Sequence, residues 1–182
     1  MQAVNREDEN NVNVPLPVNG AMVTDRLDRL GVEYTLYNHE PIYTVAEGEH
    51  LKASMPGAHC RNLFLRDKKK NCFLVVAANE TEIDLKKLSD LLGAGRFSFG
   101  SPDRLWEYLK IRPGSVNPFT VINDPENKVM LYLDKVLMDA DILNVHPMEN
   151  DKTVGLTPAG LEKFLNDIGH QYSIIDLSAA AP

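Results

Sequence analysis

Cysteine is nearly absent from this chain. Cys60 and Cys72 are its only two, and they form no C-x-x-C pair, so neither a disulfide framework nor a dithiol redox motif is expected. Long apolar runs are missing as well. Nothing approaches the roughly 18 to 20 residues of a membrane span, and the opening MQAVNREDENNVNVPLPVNG lacks the charged and apolar regions of a secretory signal. The expected setting is a reducing cytoplasm with no membrane partner. Net positive charge is also lacking: 19 lysines and arginines face 26 aspartates and glutamates, a formal charge of -7. On average that disfavours a long nucleic-acid duplex and argues against DNA, while leaving room for a small basic site that holds one end of an RNA.

Several chemistries are excluded by missing motifs. There is no G-x-x-x-x-G-K-[ST], and GAGRFSFG at 93–100 follows a helical pattern and lacks the G-x-G-x-x-G spacing, which removes P-loop and dinucleotide readings. His39, His50, His59 and His146 are scattered, and neither cysteine has a paired ligand, so no metal site is expected. Adjacent His59 and Cys60 suggest a thiol enzyme, but successive strand residues point to opposite faces, and Cys60 reads better as a small core residue.

What is present is a 182-residue chain with 43% hydrophobic and 25% charged residues, enough to bury its own core. Residues 1–20 read as a flexible polar arm and 21–182 as one domain. MVTDRLDRLG places Met22, Val23, Leu27 and Leu30 on one helical face and stops at Gly31. VEYTLYN alternates as a strand, and YTVAEGEHLKA carries the capping-box spacing of a short helix. RNLFLRD and CFLVVAA predict a hairpin through the lysine-rich turn RDKKKN. DLKKLSDLLGAG, SPDRLWEYLK and TPAGLEKFLNDIGH predict helices, and ILNVHP, TVGLTP and QYSIIDL predict strands. FTVIN and KVMLYLD around DPEN predict a second hairpin. This order implies an α+β fold, a single domain with a mixed, mostly antiparallel sheet and surrounding helices.

Three polar features remain without a place in that core. Arg61 and Asn62 open a strand, where an Arg-Asn pair can grip a phosphate and a nearby amide. The proline-bounded loop Gly114, Ser115, Val116, Asn117, Pro118 can present free backbone N–H and C=O groups, and His146 precedes Pro147.

Taken in order, MPGAHCRNLFLRDKK, IDLKKL, RFSFGS, LKIRPGSVNPFTVINDPENKV, LDKVL and NVHPMEND closely resemble the free-standing ProX-type prolyl-tRNA editing proteins, a branch of the YbaK-like aminoacyl-tRNA deacylases. The similarity runs from about Val23 to Asp176. It implies a compact mixed fold and a cofactor-free hydrolase that clears alanine mischarged onto proline tRNA, with the tRNA acceptor end as partner and prolyl-tRNA synthetase as a candidate second partner. The resemblance assigns Gly114, Ser115, Val116 and His146 to the ester, and Arg61, Asn62, Asn117 and Pro118 to holding the substrate. Arg61 stands where the family pattern has lysine, and its planar fork directs donors differently from an ammonium. The alternatives are a non-catalytic aminoacyl-tRNA or synthetase-binding module of the same fold, and a deacylase for seryl- or cysteinyl-tRNA.

Overall fold

The computed structural model of the chain describes residues 14–41 and 54–182. Helix α1, Gly20–Arg29, begins where the Asn19 side chain accepts the Met22 N–H, and it buries Val23 and Leu27. Strand β1, Tyr34–Asn38, follows directly. Strands β2, Ala58–Arg66, and β3, Cys72–Ala78, form the expected hairpin, in register from Cys60 opposite Ala78 to Arg66 opposite Cys72. Their turn is closed by Asp67, whose carboxylate accepts the Asn71 backbone and side-chain N–H groups, each at 2.9 Å. Helix α2, Leu85–Leu91, is capped by Asp84; the two-residue strand β4, Ser98–Phe99, precedes helix α3, Pro102–Leu109, which Ser101 caps with proline in the first turn.

The remaining elements are β5 (Val129–Asp134), α4 (Lys135–Met138), β6 (Leu143–Val145), β7 (Lys152–Leu156), α5 (Pro158–Asp167) and β8 (Tyr172–Ile175), with a closing 3-10 turn at Leu177–Ala180. The strands build one sheet in the order β1-β7-β6-β2-β3-β5-β8, with β4 paired to β2. Pairings β1–β7, β7–β6, β2–β3 and β2–β4 are antiparallel, and β6–β2, β3–β5 and β5–β8 are parallel. The sheet is therefore mixed and by majority antiparallel.

Both faces of the sheet are covered, which is why β3 is apolar and buried throughout. One face packs Phe64, Leu74 and Val76 against Val23, Leu27, Leu109, Phe119 and Phe164. The other packs Leu65, Phe73, Val75 and Ala77 against Leu88, Phe97 and Leu177. No helix among the described residues is long and apolar enough to cross a membrane.

The second predicted hairpin is corrected by the structure. Pro118–Asn123, the FTVIN segment, is a 3-10 helix, and β5 pairs in parallel with β3 and β8 instead. The β-branched residues favour a strand, but Asn117 caps and Pro118 fixes φ at the start of a helical turn, and burial of Phe119, Thr120 and Val121 then holds that turn. The helix expected over YTVAEGEHLKA lies outside the described residues, as do residues 1–13. Of the expected arm, Leu16 and Val18 pack against the core, and the Val14 carbonyl accepts a bond from Arg112.

Candidate functional site

Strand β2 is unequally paired along its two edges. Its β3 edge is bonded over its length. Its outer edge meets β6 only at Ala58 and His59 and β4 only at Leu65 and Arg66. The Ala58 N–H donates outward to Ile142 O at 2.8 Å, the Phe64 carbonyl accepts outward from Gly100 N at 2.9 Å, and the His59 carbonyl accepts on the β3 side from Asn79 N. Strand alternation then turns the Asn62 N–H and C=O outward, into the interval between β6 and β4. Among the described residues no hydrogen bond reaches either group, and the buried Asn62 Oδ1 is also without a partner.

The two neighbours of this amide behave differently. Cys60 shares the Asn62 face, its thiol donating to Asn144 O at 3.4 Å, and burial pushes that thiol up to about 12 despite an opposing contact from Asn62. It is a protonated packing group at neutral pH. Arg61 lies on the opposite face with Leu63 and Leu65. Its guanidinium donates from Nη1 to Asn79 O at 2.7 Å and from Nη2 to Thr81 O. Arg61 and Asn62, adjacent in sequence, thus address different sides of the sheet, and the structure does not bring their side chains together.

Asp134 explains why Arg61 finds those carbonyls, and sequence reasoning passed over it. It is fully buried at the end of β5 and accepts from Ala78 N at 3.0 Å and Thr81 Oγ1 at 2.6 Å, shaping the turn that presents Asn79 and Thr81. The available signal was an aspartate ending an apolar strand just ahead of a helix, which reads equally well as an ordinary cap.

In the 114–118 loop, Gly114 has φ 88°, a conformation that favours glycine. Asn117 is buried and committed to the loop itself: Oδ1 accepts Phe119 N at 2.9 Å, Nδ2 donates to Ser115 O at 2.8 Å, and its carbonyl accepts Thr120 Oγ1 at 2.6 Å. Pro118 is buried and Val116 packs against the core, so Gly114 and Ser115 form the accessible part. Ser115 borders a cavity of about 380 Å³ whose wall continues through Met148 to Lys152.

His146 leaves β6 and donates from Nδ1 to the Lys152 carbonyl at 2.8 Å, which fixes the tautomer and leaves Nε2 a lone pair without a partner among the described residues. Burial lowers its pKa against that bond, and the charges of His39 and His59 lower it further. The His39 ring lies 6.0 Å away, centroid to centroid. Two residues on, the Met148 sulfur lies 3.8 Å from Asn117 Nδ2. The His146–Met148 segment therefore ties the loop to the strand that flanks β2. Among the described residues no cluster of side chains suits a metal ion.

Comparison with known proteins agrees with this architecture. The sequence profile of the aminoacyl-tRNA editing domain matches residues 39–164. The chain is 41% identical over 156 residues to the prolyl-tRNA editing protein ProX of Acetoanaerobium sticklandii, covering 85% of this chain and 95% of that one. It is 36% identical over 146 residues to prolyl-tRNA synthetase associated domain-containing protein 1 of Danio rerio, covering 79% of each. Among solved structures, a candidate trans-editing enzyme for prolyl-tRNA synthetase superposes with a TM-score of 0.66 at 21% identity, over 87% of this chain and 95% of the other, which speaks for the fold.

Proposed function

Because the chain belongs to the aminoacyl-tRNA editing domain family, we propose that it is a trans-acting deacylase that hydrolyses the ester of alanine mischarged onto proline tRNA. The observation that carries the reading is the open edge of β2 at Asn62, whose N–H and C=O have no partner among the described residues, together with His146 on the chain leaving β6, the strand paired to β2 at Ala58 and His59, its Nε2 likewise without a partner among the described residues. Aminoacyl esters need little activation. A site that orients a water and offers preorganised donors to the developing oxyanion suffices. Water oxygen adds to the ester carbonyl carbon, the bond to the ribose oxygen breaks, and the products are the free amino acid and a tRNA with its terminal hydroxyl restored.

In this scheme the Gly114–Ser115 backbone and the Asn62 edge position the ester, and Val116, Asn117 and Pro118 hold the loop in shape. His146 Nε2 accepts a hydrogen bond from the substrate ammonium or a ribose hydroxyl. No nucleophilic side chain is required, which suits a Cys60 thiol kept protonated by burial. Arg61, with two donors spent on backbone carbonyls, supports the strand and offers its remaining N–H groups to the tRNA end.

Single-turnover deacylation of alanyl-tRNA carrying the proline anticodon tests the proposal, with seryl- and cysteinyl-tRNA in parallel. The parent protein is expected to clear the alanyl ester. His146→Ala is expected to slow it at least about tenfold, the scale of a lost positioning group. Arg61→Lys should retain turnover and Arg61→Ala should lose most of it. Hydrolysis confined to seryl- or cysteinyl-tRNA would redirect the assignment, and tRNA binding without turnover of any ester would make the protein a binding module.

A further inference from the structure

The open interval in β2 ends at β4, and β4 has an unusual construction. Phe97 is buried and packs edge-on against Phe73, with ring centroids 4.8 Å apart. At the other end, Gly100 lies so close to Phe64 that an added Cβ would sit 2.3 Å from its ring, and the Gly100 N–H bonds Phe64 O. Between these two anchors Phe99 is held outward at 64% exposure, the highest of the large hydrophobic residues described as exposed. It borders a pocket of about 340 Å³ with Arg66, Ser98, Ser101 and Arg104.

Beside this pocket stands the lysine turn. Lys68, Lys69 and Lys70 are exposed. Asp67, the carboxylate within the turn, is buried and spends its oxygens on Asn71 and on the Lys69 and Gly95 amides. Gly95 lies against the Lys68 backbone, which brings its neighbour Arg96 to the same place. Arg66, Lys68, Lys69, Lys70, Arg96 and Arg104 have no carboxylate ion-pair partner among the described residues, whereas Arg26, Lys128, Lys135 and Lys152 do. Phe99 pairs with Leu65 and Arg66 with Ser98, so ring and guanidinium leave opposite faces of this sheet edge and border the same pocket around it. A solvent-facing aromatic ring at the rim of a pocket lined by guanidinium groups and set beside a lysine turn can stack an unpaired base and track its phosphates. In a chain of net charge -7, it is local chemistry and not the average field that would attract RNA.

We propose that Phe99, Arg66, Arg104 and the Lys68–Lys70 turn form a second RNA contact, which stacks one base of the single-stranded 3′ segment and holds the adjoining phosphates while the terminal nucleotide lies at the Asn62 edge. Asn62 and Arg66 share one face of β2 and stand about 13 Å apart at the usual strand rise. A strand ending at Asn62 therefore reaches this pocket within its next nucleotides. The identity of the RNA rests on the editing reading; the surface itself does not.

The test is binding of uncharged proline tRNA to the full chain across a salt series, together with the deacylation assay above. Variants are Phe99→Ala, Arg66→Ala and the double Lys68→Ala/Lys69→Ala; Lys70 is kept because its positive φ closes the turn. Phe99→Ala should weaken binding about tenfold with an unchanged salt slope, as for a lost stack. The double lysine variant should flatten the slope of log K against log salt by about 0.7 for each phosphate it no longer neutralises. Neither should alter cleavage of alanyl-adenosine, which is too short to reach the pocket. Parent-like tRNA binding by all variants, or no binding by the parent, overturns the proposal. Patch-dependent binding without hydrolysis overturns the editing reading and leaves the surface standing; hydrolysis with patch-independent binding does the reverse.

Discussion

His146 carries a cost that can be read against pH. Burial holds its imidazole neutral, so its folded pKa lies below the ordinary 6.5. The unfolded chain then takes up a proton first as pH falls. The stability associated with the neutral ring is complete above about pH 6.5 and is lost as pH drops through the lower folded value. Urea unfolding at pH 7.5 and pH 5 should show the parent losing more stability than His146→Gln; equal losses would remove His146 from the account. Arg61 is a second residue-scale case. Truncation to alanine strands the carbonyls of Asn79 and Thr81, at an expected cost of about 1–3 kcal/mol, visible as a lower urea midpoint with unchanged slope. Here the sequence was informative about residue type and silent about direction. Arg61 and Asn62 are legible as a polar pair at a strand start, but which face each meets depends on which cluster claims Leu63 and which claims Phe64.

At the scale of elements, the short 3-10 helix after Asn117 decides how firmly the candidate loop is held. Phe119 packs edge-on against Phe164 of α5, with centroids 4.8 Å apart, an arrangement worth about 0.5–1.5 kcal/mol beyond burial alone. Asn117→Ala removes the cap and the brace on Ser115. The expected result is a stability loss of about 1–2 kcal/mol and a fall in kcat larger than the change in KM, because the loop loosens while the RNA contacts remain. A pure KM effect would place Asn117 against substrate instead. The one-turn helix α4 is too short to leave a period, whereas helices α1, α2, α3 and α5, the β2–β3 hairpin and strands β6 to β8 were foreseeable from period and caps. FTVIN was not, because its β-branched run carries the strand signal while a two-residue Asn-Pro cap and the surrounding core decide the outcome.

Across the whole molecule, the sheet's connectivity joins residues that are remote in the chain. β2 receives β6 from some 85 positions downstream, since Ala58 pairs with Leu143 and His59 with Asn144. Such pairing leaves no local trace, and the two-residue β4 is too short to show a period, so the open interval on β2 could not be foreseen even though β2 and β6 could. The connection that leaves β6 carries both His146 and Met148, and Met148 joins it to the loop at Asn117.

That interval makes Asn62 a discontinuity within an otherwise protected strand. Arg61 and Leu63 turn their amides toward β3, inside the sheet, while the Asn62 amide faces outward without an acceptor among the described residues. Its deuterium uptake should resemble that of a loop, at a position where the neighbouring amides exchange only when the sheet opens. A ligand seated on this edge would remove the contrast, giving a label-free reading of occupancy at single-residue resolution even for a substrate analogue that the protein cannot cleave.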